Sequence, residues 1–189
     1  MNAYFLSTIL ILWSVTSGIL PKSKEGSRIF FYDDGELAIE IDLSQIGHLA
    51  SKGRVQDREY NKSMVVDNLI KMENESIPFL IDKLTDETLI KGATIDFWSK
   101  VTIGDIALII LTDFFTDSTW VKTTIPGISW DEMLKRKNSK LTAEQVLRSY
   151  VAIFGRKAIQ NKWERVWHEN HEKLYWDNEE RCFKLKNRA

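Results

Sequence analysis

Three observations predict a mainly α-helical fold with short β-hairpins near both ends of the chain. Apolar residues recur at three- and four-residue intervals over 64–115 and again over 142–174, the spacing of one helix face. Two acidic turns, at 33–36 and 177–180, each separate short apolar runs. The chain has seven Trp but only three Pro, a composition suited to a packed body and not to a flexible tail. The expected organisation is a leader over 1–17, a flexible lead over 18–27 and a single mainly helical domain over 28–189.

Residues 1–17 carry no charged side chain, and charge begins only at Lys22. Tyr4-Phe5-Leu6 and Ile9-Leu10-Ile11-Leu12-Trp13 form an apolar centre, and Val15-Thr16-Ser17-Gly18 supplies small residues at cleavage positions. The segment reads as a signal peptide, although the Met1 amino group is its only positive charge. It is shorter than the roughly 20 apolar residues of a spanning helix. Ser7, Thr8 and Ser14 also interrupt it. An uncleaved N-terminal anchor and a buried helix are the alternatives. The expected location is exported: periplasmic, secreted or envelope-associated. The lone cysteine, Cys182, cannot form an internal disulfide and reads as a packed small apolar residue. A domain of this size folds without such a staple.

Lys plus Arg number 26 and Asp plus Glu 27, a net charge of −1. No global attraction to nucleic acid or anionic membrane follows from that balance. The one dense basic run, Lys135-Arg136-Lys137 with Lys140, reads as a solvated helix end or loop.

Asp33-Asp34-Gly35-Glu36 lies between Ile29-Phe30-Phe31-Tyr32 and Leu37-Ala38-Ile39-Glu40-Ile41. Asp-Gly between apolar runs is a hairpin signal, because Gly tolerates positive φ in a tight turn. Val65, Leu69 and Met72, widened by Val66 and Ile70, then form one helical face. Glu73-Asn74-Glu75 breaks that helix, Ser76 is placed to cap the next, and Pro78 fits its first turn. Ile77, Leu80, Ile81 and Leu84 make the second face, so the pair reads as an αα-hairpin. Residues 102–115 are apolar nearly all round, which predicts a central buried helix with Thr102 and Asp105 at its start. Thr142-Ala143-Glu144-Gln145 matches a capping box, with Leu141 as a staple. It precedes an apolar face of Val146, Leu147, Tyr150, Val151 and Phe154. Gly155 ends or kinks that helix, and Ile159, Trp163, Val166, Trp167 and Leu174 continue a second stripe. Asp177-Asn178-Glu179-Glu180 marks a last short hairpin.

Pro78-Phe79-Leu80-Ile81-Asp82-Lys83-Leu84-Thr85-Asp86 resembles the second helix of a HEAT repeat, with its Pro, Leu, Leu and Asp positions. Val101 to Leu111, with Gly104-Asp105-Ile106-Ala107, resembles the first helix of a following repeat, and 64–72 the first helix of the same one. The match covers about one and a half repeats, whereas arrays normally need about three to bury a continuous core. The resemblance therefore implies HEAT-like helical hairpins in one small domain, closed by its own terminal additions. Proteins built this way usually bind partners, so it implies a non-catalytic binding or scaffold role. The expected partner is another protein or a cell-envelope component, with no nucleic acid; membrane contact is expected only if the N-terminal segment stays uncleaved.

Trp98, Trp120 and Trp130 fall in or beside loops, where indoles can stack on sugars or anchor a protein interface. They are the candidate binding residues, against the plainer account that they cover the 102–115 helix. His168 and His171 sit three apart, near one helix face. The zinc-protease pattern needs one more residue between its histidines, and His48 is the only distant histidine. A polar outer face explains the pair, so neither a metal nor a cofactor is expected. Asp105, Asp113, Asp117, Asp131 and Glu132 are the carboxylates a hydrolase could use, although Asp105 is better explained by helix-start chemistry. The alternative function is therefore a small exported hydrolase using loop carboxylates or the histidine pair. No catalytic residue is assigned. Asn61-Lys62-Ser63 and Asn74-Glu75-Ser76 fit the glycosylation pattern, which matters only in a eukaryotic source.

Overall fold

A computed structural model describes residues 20–26, 28–33, 36–45, 64–91, 100–116 and 143–186. The signal segment, the loop tryptophans, the basic run, Asn61 and Thr142 lie outside them. The described chain is mainly helical, with a small antiparallel sheet at each end.

The N-terminal sheet has strands β1 (Leu20–Glu25), β2 (Arg28–Asp33) and β3 (Glu36–Asp42), in that order. β2 and β3 pair antiparallel, as a hairpin requires, with Ile29 opposite Ile41 and Asp33 opposite Glu36. Ile29 and Ile41 are buried, whereas Glu40 is exposed, so the alternation selects the inner face. Strand β1 corrects the expectation of a flexible lead over 18–27. Backbone pairing does not need apolar side chains, and Pro21 is tolerated because β1 is an edge strand with a register shift between Pro21 and Ser23. Gly26 turns the chain at φ +50.

Helix α1 (Met64–Lys71) buries Val65, Val66 and Leu69, packs against β3, and ends in a 3-10 turn over Glu73–Glu75. Helix α2 is Ser76–Lys83. Ser76 does not accept a capping bond, contrary to expectation. Its buried hydroxyl donates to the carbonyls of Leu69 and Glu73, both at 3.0 Å, and so stitches the two helices across their break. Such a donor satisfies the carbonyl end of the first helix, where four oxygens lack intrahelical partners. Phe79, outside the expected stripe, is also buried.

Helix α3 (Ile103–Phe114) is the axis of the domain, and all twelve of its residues are buried. Thr102 and Asp105 form the predicted capping box. The Asp105 N–H donates to Thr102 Oγ1 at 3.2 Å, and the Thr102 N–H donates to Asp105 Oδ2 at 2.9 Å. Within the helix the Thr112 hydroxyl donates to the Leu108 carbonyl at 2.7 Å, so a buried polar group is satisfied locally. Gly104 is a close-approach position. A Cβ there would lie 2.7 Å from the Leu84 carbonyl oxygen and 2.8 Å from Arg156 Nη1.

Helices α4 (Ala143–Phe154) and α5 (Arg156–Asn170) are separated by Gly155 at φ +76, the break read from the sequence. Leu147 and Tyr150 are buried, but Phe154, expected on the same face, is 46% exposed. It lies beside the Tyr150 ring, with centroids 4.9 Å apart, at the end of the helix where the core has run out. The start of α5 closes the end of α2. Gln160 Nε2 donates to the carbonyls of Ile81 and Asp82 at 3.0 and 3.1 Å. Arg156 reaches the Leu84 carbonyl at 3.4 Å and pairs with Asp105 Oδ1 at 2.5 Å. One turn of α5 thus satisfies the carbonyl end of α2 and the carboxylate at the start of α3.

The second sheet is the hairpin of β4 (Leu174–Asp177) and β5 (Cys182–Leu185), as expected. Phe183 stacks on Phe115 at 5.0 Å and contacts Trp176 edge-on at 5.1 Å, while Phe115 also meets Trp163 at 5.4 Å. These rings join the end of α3 to α5 and the hairpin. Cys182 is buried, in keeping with its reading as an apolar packing residue. Across the hairpin, Lys184 Nζ lies 2.8 Å from Asp177 Oδ2 and 2.9 Å from Glu180 Oε1. The Lys184 ammonium bond, with the N–H groups of Glu180 and Glu179, holds the Asp177 carboxyl below its ordinary range; the bonds of the ammonium to the Asp177 and Glu180 carboxylates push Lys184 up.

Candidate functional site

A groove of about 420 Å³ opens between α2 and α5, lined by Pro78, Ile81, Asp82, Glu164, Trp167, His168 and His171. Local sequence explains each wall. On α2, Ile81 belongs to the buried stripe, while Pro78 and Asp82 point outward one turn apart. On α5, Glu164, Trp167, His168 and His171 recur at three- and four-residue intervals along one side of the helix and its C-terminal turn.

The indole of Trp167 is the fixed element. Its inner side meets Phe115 edge-on, with centroids 6.3 Å apart. It also lies 5.6 Å from the His171 ring, and it is half-buried. His171 Nδ1 sits 3.2 Å from the Trp167 carbonyl oxygen, which orients that imidazole along the helix end. His168 is exposed, with its ring centroid 6.5 Å from that of His171.

Both wall carboxylates are exposed. Asp82 Oδ2 lies 3.5 Å from Lys83 Nζ, and Lys83 also sits 5.8 Å from the centre of the Phe79 ring. Glu164 has no ion pair among the described residues. Among the described residues, no lysine or arginine lines the groove. Among the described residues, no group of three or more His, Cys, Asp or Glu side chains is arranged to hold a metal ion. The arrangement can therefore bind through an apolar floor, an indole face and two carboxylates.

The histidine pair singled out in the sequence lines this groove. Trp98, Trp120, Trp130, Asp117, Asp131, Glu132 and His48 lie outside the described residues. Asp105 is spent on the capping box and the Arg156 pair, and Asp113 is buried in α3. Pro78, Asp82 and Glu164 were not marked as site residues in the sequence. Their meeting depends on contact between helices some eighty residues apart, for which no local pattern exists.

A second, smaller hollow of about 300 Å³ lies beside Gly26, Ser44, Leu89 and Lys91, near the start of α3. No helix among the described residues is long and apolar enough to cross a membrane. The chain matches no protein-family model, no curated protein and no solved structure.

Proposed function

We propose that this chain is an exported, non-catalytic binding protein whose helices pack like HEAT hairpins and present the α2–α5 groove to a partner polypeptide. The observation that carries the reading is the seat of Trp167, which meets the Phe115 ring edge-on and also lines the groove. An aromatic held in place by the core costs little entropy to bind against, which is the property of interface anchors. Contact of α2 with α3, and of α5 with α2, supports stacked hairpins as the scaffold. The charge-free run at 1–17 supports export. A hydrolytic use of His168 and His171 would need a third ligand, and the described residues place none there.

The test is affinity capture from the native compartment with wild type and with the double variant Asp82→Ala/His168→Ala. Both side chains are exposed, so the fold should be retained. The expected result is loss of a specific captured protein. Undiminished capture by the double variant sinks the groove as the binding surface. N-terminal sequencing of the mature protein tests export separately, and a chain that begins at Met1 in the cytosol refutes it.

A further inference from the structure

We propose that the α2–α5 groove recognises an arginine side chain on the partner polypeptide; the inference rests on the binding role just argued and names the chemistry of the occupant. The juxtaposition of a half-buried indole with two exposed carboxylates from opposite helices carries it. Trp167 contributes aromatic surface to the lining, and Pro78 and Ile81 contribute apolar surface. Asp82 stands on the α2 wall and Glu164 on the α5 wall.

An arginine needs these three surfaces together. Its methylene stem covers apolar ground while its guanidinium stays polar. The planar guanidinium stacks on indole and donates in a fork to a carboxylate. An anionic occupant fits poorly, because the described lining holds two carboxylates that would repel it and no lysine or arginine. A purely apolar occupant would bring no partner to either carboxylate, and any that it covered would lose water for nothing.

The local charges leave room for that cation. Glu164 has no ion pair among the described residues. Among the described residues Asp82 pairs with Lys83 alone, at 3.5 Å and with more than half of the carboxylate side chain exposed, which is a weak surface contact. Asp82 is therefore open to exchange of its lysine for a forked donor. The end of α5 contributes as well, because the negative pole of a helix favours a nearby cation. The imidazoles of His168 and His171 sit at that same end and would oppose the guanidinium when protonated.

The probe is acetyl-Gly-Leu-Arg-Leu-Gly-amide, titrated into the full mature chain. The readout is the indole N–H resonance of Trp167, assigned with Trp167→Phe. Controls carry citrulline, lysine or glutamate in place of arginine. Citrulline keeps the shape and removes the charge. The arginine peptide should shift Trp167 and bind about tenfold more tightly than the citrulline peptide, with lysine between them. The double variant Asp82→Asn/Glu164→Gln should lose about tenfold in affinity, with the other indole resonances unmoved. Glu172→Gln, an exposed carboxylate outside the groove, should bind as wild type does. Equal binding of arginine and citrulline peptides overturns the inference and leaves a peptide-binding groove of another chemistry. Preference for glutamate, or no shift of Trp167 at millimolar arginine peptide, overturns it too. Partner capture that survives loss of Asp82 and His168 is the separate result that removes the groove itself.

Discussion

Helices α3 and α5 lie at the same aromatic junction but treat their surfaces in opposite ways. Every residue of α3 is buried, including Asp105, Thr112 and Asp113. Helix α5 buries only Ile159, Gln160, Trp163, Val166 and Asn170 of its fifteen residues. The first helix organises the interior and has no free face on which to evolve contacts. The second pays for its place with one stripe and keeps another stripe for solvent, and the groove lies there. Polar groups follow the same division. Asp105 and Thr112 of α3 are consumed by the capping box, a helix carbonyl and Arg156, whereas Glu164 and His168 of α5 remain exposed.

The comparison is broken most severely at the junction. Phe115 packs on Trp163, Trp167 and Phe183 at once, so Phe115→Ala should destabilise the domain by about 3–5 kcal/mol. Denaturant unfolding measures this. A loss below about 1 kcal/mol would mean that the rings do not form one core. The next largest effect is at Arg156. Replacing it with Met removes the partner of a buried carboxylate, although Thr102 still donates to Asp105 through its hydroxyl at 2.8 Å. The expected cost is about 3 kcal/mol. Asp105→Asn in the same background should recover part of it, because the uncompensated charge is then gone. No recovery in the double variant would show that Arg156 acts by packing alone.

The smallest effect sharpens the contrast from outside both helices. Asp177 has its proton affinity lowered by Lys184, so its contribution to folding is full above the ordinary aspartate range. It fades as pH falls through the depressed folded value. Lys184, shifted upward, contributes below the ordinary lysine range and loses that contribution only as pH rises through its folded value. Near-UV circular dichroism of the Trp176 environment should therefore change only at strongly acidic or strongly alkaline pH, and Lys184→Met should abolish the acid step. An acid step unchanged in that variant would assign it to other carboxylates.

The parts of this fold legible in the sequence are those with local causes. Thr102 and Asp105 sit three apart and cap each other, Gly155 breaks a helix, and the acidic stretch after Asp177 turns between β4 and β5. Each needs only neighbouring residues to act. The misreadings have non-local causes. Leu20–Glu25 is polar and carries a proline, yet β2 offers it an open edge. Ser76 has the identity of a cap, but the Leu69 carbonyl, seven residues back, claims its proton. Phe154 continues an apolar stripe beyond the surface that could cover it. The groove was half legible. The histidine pair reads as a polar face and Trp167 as part of the neighbouring apolar stripe, but Pro78 and Asp82 join them only through the packing of α2 on α5.

That Gln160 and Arg156 finish α2 has a consequence for the order of events during synthesis. The oxygens of Ile81, Asp82 and Leu84 wait for donors 72 to 79 residues downstream. A nascent polypeptide released in N-to-C order therefore holds α2 open-ended until Arg156 and Gln160 have emerged. Ribosome-bound intermediates ending before Arg156 should be protease-sensitive at α2.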